Sequence, residues 1–186
     1  MNQFINRTLL LILSLGVPMM GVASGQFSQQ SIVFEAPGGG TPVTLNFNGR
    51  LLSKKRGIVV DEKSKDQIAA FLHQVIDTNR STDAEKIVAL WHPDEREALL
   101  EKMENQEAMS RNSAFFINIQ KSKIVGVMEY GDYLFVYALH DLLGVGDYVK
   151  AYPIAKAGDE LFMTNQLSED FFYTVIADQI IRYQWP

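Results

Sequence analysis

The sequence contains no cysteine. This absence excludes disulfides, thiol catalysis, thiolate metal sites, a lipid-anchored cysteine and haem attachment through a C-x-x-C-H motif. Stability must come from packing, which a chain of 186 residues can supply with one core. Only three histidines occur, without the H-x-x-x-H or H-x-H spacing of zinc sites. We therefore expect no metal site and no cofactor.

Positive charge is also scarce. Lys and Arg together number 17 against 22 Asp and Glu, which gives a formal net charge of −5. A nucleic-acid partner requires a basic stripe, and electrostatic docking onto anionic lipid requires a basic surface. The charge balance argues against both of these partners.

Long apolar runs are absent except near the amino terminus. Residues 1–25 have the layout of a secretory signal peptide: a weakly positive start, an apolar stretch from Thr8 to Ala23, and small residues at its end. Pro18 interrupts the stretch, which is shorter than the roughly 20 residues of a membrane-spanning helix. We expect cleavage before Gly25 or Gln26, an exported location (periplasmic or secreted), and no integral membrane segment after cleavage.

The rest of the chain, residues 26–186, is predicted to form a single α+β domain. Helical patterns cluster before a meander of strands and do not alternate with them, which argues against a parallel sheet. The economical packing is a curved antiparallel sheet with helices on one face. The predicted order is N-terminal strands in 26–60, helices in 64–111, a sheet in 113–164 and a helix in 168–182.

Alternation of apolar and polar residues predicts the strands. Ser31–Ala36 and Val43–Phe47 form the first two, and Asn48-Gly49 ends the second. Leu51–Val60 is either a third strand or, as Lys54-Lys55-Arg56 favours, a solvated loop. A hairpin turn is predicted at Gly131-Asp132 and another turn at 156–159. The later strands are predicted over Ile124–Met128, Leu134–His140, Asp147–Ile154 and Glu160–Thr164.

Two capping boxes predict helix starts, Ser64 with Gln67 and Thr82 with Glu85. A third helix begins at Pro93 and frays by about Arg111. Residues 113–119 either continue this helix or start a strand. Residues 168–170 cap a last helix. Residues at helical spacing form an apolar stripe on three of these helices. The stripe of the first helix consists of Ile68, Phe71, Leu72, Val75 and Ile76. The stripe of the third helix consists of Leu99, Leu100 and Met103, and the stripe of the last helix consists of Phe171, Phe172, Val175, Ile176 and Ile180.

The layout resembles that of a known superfamily. Amphipathic helices, one of them with Trp91 near its end, precede hairpins containing Tyr130-Gly131-Asp132-Tyr133 and Phe135-Val136-Tyr137. This order, over Ser64–Thr164, looks like the nuclear-transport-factor-2-like (cystatin-like α+β cone) superfamily. The resemblance implies a pocket between helices and sheet, with no universal catalytic motif. The strands before Ser64 and the helix after Ser168 depart from that layout.

Two histidines next to carboxylates are the candidates for catalysis, His92 with Asp94 and His140 with Asp141. The structural alternatives are that His92 caps a helix beside a core Trp91 and that His140 is a polar strand end. Adjacent strand residues point to opposite faces, so His140 and Asp141 cannot both face a pocket while the strand continues. Alternation places His140 on one face together with Leu134, Val136 and Ala138.

Aromatic residues are the candidates for lining a pocket, where they would supply apolar walls with polar handles. They also suit an ordinary half-exposed sheet. The candidates are Trp91, Tyr130, Tyr133, Tyr137, Tyr148 and Tyr152.

No nucleophile motif or complete phosphate-binding loop is present, so no reaction is indicated. The leading hypothesis is an exported, non-catalytic domain that binds a small apolar ligand or a protein partner. One alternative is a small pocket enzyme of the isomerase or hydrolase type with His/Asp acid–base chemistry, which requires a histidine within about 3.5 Å of a carboxylate or in a pocket. A second is a structural subunit of an oligomer such as a homodimer.

Overall fold

A computed structural model of the chain describes residues 27–34, 41–170 and 173–174. The strands are β1 Ser28–Phe34, β2 Val43–Leu51, β3 Ile58–Val59, β4 Ile119–Tyr130, β5 Tyr133–Leu142, β6 Gly146–Ala157 and β7 Glu160–Met163. The helices are α1 Gln67–Arg80, α2 Ala84–Ala89, α3 Arg96–Met103 and α4 Gln106–Ile117, with a short 3₁₀ turn at Pro93–Glu95 before α3.

The seven strands of the described residues form one antiparallel sheet in the order β1-β2-β4-β5-β6-β7, and β3 also pairs with β4. Bulges between Ile119 and Lys121 and between Ile124 and Gly126 bend β4. The prediction of an α+β fold with a curved antiparallel sheet is confirmed. Within the described residues, no helix has both the length and the apolar character needed to span a membrane.

The main core lies between the helices and one face of the sheet. The predicted stripe of α1 is confirmed, since Ile68, Leu72, Val75 and Ile76 are buried and Phe71 is half-buried against them. Phe116 of α4 joins this cluster. The sheet contributes side chains that alternate along each strand, including Val127, Leu134, Val136, Ala138 and Ile154.

The opposite face of the sheet carries a second apolar cluster. Phe135 and Tyr137 of β5 lie there with Met128 and Phe47. Leu167 and the half-buried Tyr173 pack against the same cluster. The chain after β7 therefore contacts the face that α1 and α4 do not cover.

The second predicted strand is longer than expected. Asn48-Gly49 does not end it, because β2 continues to Leu51 and pairs with β4. A Cβ on Gly49 would lie 2.1 Å from the carbonyl oxygen of Val127, so the glycine permits this close approach to β4 and is not a turn signal. Residues 54–56 form the exposed turn that the charges favoured, leaving only Ile58–Val59 as a third strand.

Both predicted helix starts were displaced. The N-caps are Asp66 and Asp83, whose side chains accept hydrogen bonds from the backbone N–H groups of Ala69 and Lys86. Ser64 accepts from the backbone N–H of Asp66, before the helix begins. Thr82 has a φ of 57°, which is not helical. A carboxylate was available one or two residues downstream of each predicted cap, and it caps the helix instead.

The prediction of one long third helix was wrong, because two helices occupy this segment. α3 ends at Met103, and the side chain of Asn105 then accepts from the backbone N–H groups of Glu107 and Ala108 to cap α4. α4 continues to Ile117, so residues 113–117 are helical and the sheet starts at Ile119. The predicted stripe of α3 is not buried, since Leu99 and Met103 are half-buried and Leu100 is exposed.

The predicted turns are confirmed. Gly131 and Gly158 have φ values of 58° and 63°, in the left-handed region that favours glycine, and each lies in a two-residue turn. At the predicted last cap, Asp170 accepts from the backbone N–H of Tyr173. The rest of that helix, including its stripe from Phe171 to Ile180, and the predicted signal peptide in 1–25 lie outside the described residues.

Candidate functional site

A cleft of about 300 Å³ lies between α1 and α4 on one side and β6 with the end of β7 on the other. Val75 and Phe116 line it from the helices, and Tyr152 and Met163 line it from the sheet. The volume of this cleft is at the lower end of the range typical of small-molecule sites. Other clefts in the described part of the chain are more open to solvent.

The cleft exists because β6 is longer than its neighbour β7. β7 pairs only with residues 154–157 of β6, so the earlier part of β6 borders the cleft as a free edge within the described structure. Trp91 is fixed beside this edge by a short parallel bridge to Met163. The backbone N–H of Met163 donates to the carbonyl oxygen of Leu90 at 2.8 Å, and that of His92 donates to the carbonyl oxygen of Met163 at 2.9 Å.

Lys150 is the only charged side chain that lines the cleft, as far as the structure describes it. Its Nζ lies 4.3 Å from the ring centroid of Phe115 and 5.2 Å from those of Phe116 and Tyr152. No described carboxylate is within ion-pair distance of it. Burial lowers the pKa of the Lys150 ammonium. The site therefore contains a cation that is surrounded by aromatic rings and lacks a carboxylate partner there.

Two asparagines supply amide groups at the helix side of the cleft. Asn112 Nδ2 donates to Asn79 Oδ1 at 2.6 Å, and Asn79 Nδ2 donates to the carbonyl oxygen of Val75 at 2.7 Å. Asn79 is buried, whereas Asn112 is half-buried. These bonds fix the side chain of Asn112 at the wall and leave it a second amide hydrogen and its carbonyl oxygen.

His140 is fully buried behind the cleft. Its Nδ1 lies 2.7 Å from Ser122 Oγ and its Nε2 lies 2.8 Å from Tyr152 Oη. Burial, with a smaller contribution from the charge of Lys150, lowers the pKa of His140 to about 4. A neutral imidazole has one N–H, so one of the two hydroxyls accepts from the ring and the other donates to it.

The predicted histidine–carboxylate pairs do not meet. The predicted alternation is confirmed, since His140 points with Leu134 to the helix side, and Asp141 is the next residue along the same strand. His92 Nδ1 lies 3.7 Å from the exposed Asp94 carboxylate and 3.2 Å from Gln166 Nε2. No described carboxylate therefore lies within 3.5 Å of either histidine.

The structural alternative for His92 holds in part. His92 occupies the N-cap position of the 3₁₀ turn, but its side chain makes no capping hydrogen bond. Pro93 is the first residue of that turn, as predicted. Trp91 packs against the main core while half-buried at the cleft.

Of the six aromatic candidates, Trp91 and Tyr152 line the cleft. Tyr130, Tyr133 and Tyr137 belong to the cluster on the opposite face of the sheet. Tyr148 is 46% exposed and packs edge-on against Phe115, outside the cleft wall. Alternation separates the tyrosines of β5 from those of β6, because residues 137 and 152 occupy different faces.

Sequence reasoning missed Lys150, Asn79 and Asn112. Lys150 has a recognisable signal, because it lies between Tyr148 and Tyr152 at strand spacing and so shares their face. The two asparagines have none, since their meeting depends on how α1 packs against α4.

Comparison with models of protein families, with curated proteins and with solved structures found no match for this chain.

Proposed function

We propose that this protein is an exported, non-catalytic binding domain and that the cleft between α1, α4 and β6 holds a small apolar ligand. The observation that supports the proposal is the composition of the walls. Trp91, Phe116, Tyr152 and Met163 present apolar and aromatic surface around about 300 Å³. The acid–base alternative lacks comparable support, because no described carboxylate lies within 3.5 Å of His92 or His140.

We further propose that the fold belongs with the nuclear-transport-factor-2-like superfamily. The order of elements from Gln67 to Met163, helices followed by antiparallel hairpins, supports this assignment. In that superfamily a pocket lies between helices and sheet, which is also where the cleft lies. The pairing of the β1–β2 hairpin with β4 is an addition to the layout.

Titration with N-phenyl-1-naphthylamine, an uncharged dye whose fluorescence rises in apolar surroundings, tests the binding proposal. The purified protein should bind the dye saturably at one site. Trp91→Ala removes an aromatic wall and should weaken binding by at least about fivefold, since aromatic contacts of this kind contribute about 1 kcal/mol beyond area burial. Tyr148→Ala removes an exposed aromatic of the same sheet and should leave the affinity unchanged.

An apolar dye can also bind the exposed turn between β5 and β6, where Leu143 and Val145 are 62% and 73% exposed. The double variant Leu143→Ser/Val145→Ser controls for this and should bind the dye as the parent does. Dye binding that is lost in this variant but unaffected by Trp91→Ala would reject the cleft as the site. Failure of the parent to bind the dye saturably would reject the proposed function.

A further inference from the structure

The cleft has a charge opposite to that of the whole chain. The protein has a net charge of −5, yet among the described residues the charged side chain at the cleft wall is a lysine, and no described carboxylate lines the cleft. Lys54, Lys86 and Lys156 pair with carboxylates, and a lysine without such a pair, for example Lys121, is exposed to water. Lys150 instead extends across the helix side of β6, where its neighbours are rings.

Those rings do not replace a counter-ion. Lys150 is half-buried, and a cation over an aromatic face gains about 0.5–2 kcal/mol, which offsets part of the cost of partly removing the ammonium from water. The lowered pKa of Lys150 has the same physical cause, because burial disfavours the charged form. An anion brought into the cleft would restore the missing charge partner.

The other polar side chains at the walls supply both donors and acceptors, since Asn112 keeps its carbonyl oxygen and Thr164, Asn165 and Tyr173 also line the cleft. Trp91 has an indole N–H, which can only donate and which makes no hydrogen bond to another described side chain or carbonyl. Asn112 retains a second amide hydrogen after bonding Asn79. An ionised carboxylate is an acceptor with two oxygens and about four lone-pair sites. A carboxylate can accept from these donors and also brings a negative charge to Lys150, which a neutral group does not.

We infer that the ligand of the cleft is a small amphipathic organic acid, whose apolar part contacts Trp91, Phe116 and Met163 and whose carboxylate pairs with the Lys150 ammonium. This inference rests on the proposed function, since it names the class of ligand for the same cleft. The carboxylate enters from the side of β6, and the apolar body extends toward the end of β7.

A pair of probes with matched shape separates charge from apolar contact. 1-Naphthylacetate and 1-naphthylacetamide differ only in having a carboxylate or a neutral amide, and each is tested for displacement of bound N-phenyl-1-naphthylamine. The parent protein should prefer the acid by about tenfold to a hundredfold, as expected of a hydrogen bond between charged groups. The neutral variants Lys150→Met and Lys150→Gln should lose this preference, while Lys150→Arg should keep most of it.

The uncharged dye reports on each variant separately. Saturable binding of N-phenyl-1-naphthylamine by Lys150→Met and Lys150→Gln, at whatever affinity, shows that the cleft is intact in these variants. Equal displacement by acid and amide in the parent, or a preference that persists in both neutral variants, would overturn the inference and leave the proposed function standing. Loss of saturable dye binding in the parent would overturn the proposed function and the inference together.

Discussion

His140 makes the stability of the fold depend on pH in a range where few other groups titrate. Its ring is fully buried between Ser122 and Tyr152, and its pKa falls from 6.5 to about 4. The unfolded chain therefore binds a proton near pH 6.5, whereas the folded protein does not bind it until about pH 4. Because the unfolded state binds more protons in this interval, the free energy of unfolding falls as the pH is lowered through it.

The magnitude follows from the difference between the two pKa values. The change from 6.5 to about 4 corresponds to about 3 kcal/mol in total, since each pH unit contributes about 1.4 kcal/mol. Between pH 7 and pH 5 the expected loss is about 2 kcal/mol. This is a large fraction of the stability of a domain, which is typically about 5–15 kcal/mol.

Carboxylates change the free energy of unfolding with pH mainly below the interval from pH 7 to pH 5. Asp66 and Asp83 have pKa values lowered from 3.8. For Asp66, burial opposes the shift, but hydrogen bonds from Arg50 and Ala69 and the charge of Arg50 outweigh it. Stability from such depressed carboxyls is present above their unfolded pKa and is lost as the pH falls through the folded one. The interval from pH 7 to pH 5 therefore reports chiefly on the buried imidazole.

Urea unfolding at several pH values between 7 and 5 measures the effect. The parent should lose about 2 kcal/mol over this range, and His140→Gln should be nearly flat, since glutamine stays neutral and offers both a donor and an acceptor. Carbon-detected titration of the His140 ring should give a pKa near 4. A slope that survives in His140→Gln, or a ring that titrates near 6.5, would refute the reasoning.

Three further predictions concern the rest of the chain. Asp66→Ala removes both the N-cap of α1 and the 2.7 Å ion pair with Arg50. It should lower the free energy of unfolding by about 3 kcal/mol, measured in urea at pH 7. Asp66→Asn keeps a capping oxygen and should lower the free energy of unfolding by about 1 kcal/mol less. Gly49→Ala places a Cβ 2.1 Å from a carbonyl oxygen and should lower the melting temperature far more than Gly131→Ala, which meets nothing within 4 Å and strains only its positive φ; similar effects would contradict this. Mass spectrometry of the protein after expression from its full sequence should give a mature chain that starts at Gly25 or Gln26, whereas an intact terminus would reject the predicted signal peptide.

Much of the fold follows from local pattern. The alternation along Leu134–His140 predicted which residues share a face, because a strand has a fixed period of two. Glycines 131 and 158 predicted turns because only glycine adopts a left-handed backbone without strain. The helix caps at Asp66 and Asp83 were missed because several neighbouring polar residues can cap, and packing of the helix decides which of them does.

The cleft could not be predicted to the same extent. Trp91 and Tyr152 were recognised as candidate lining residues by type, but nothing local indicates that β7 stops short of the start of β6 or that Trp91 bridges to Met163. The tyrosines of β5 were grouped with those of β6, although strand pairing places Tyr137 opposite Ala151 and not opposite Tyr152. These features depend on contacts between residues far apart in the chain, and no periodic pattern in a single sequence indicates such contacts.

Lys150 has one other physical explanation, which the edge position of β6 supplies. A charged side chain that points inward on an edge strand hinders pairing with the edge of another sheet. In this role, the charge of Lys150 makes burial of the edge of β6 unfavourable, and no ligand is needed. It predicts that Lys150→Met associates with itself as concentration rises, whereas the parent does not, which light scattering measures. The ligand role predicts a lost preference for the acid in a variant that stays monomeric. The ammonium of Lys150 lies 4.3 Å from the ring centroid of Phe115 at the wall of a cleft. Both roles require this inward direction, so light scattering and the preference for the acid, measured on the same Lys150→Met variant, decide between them.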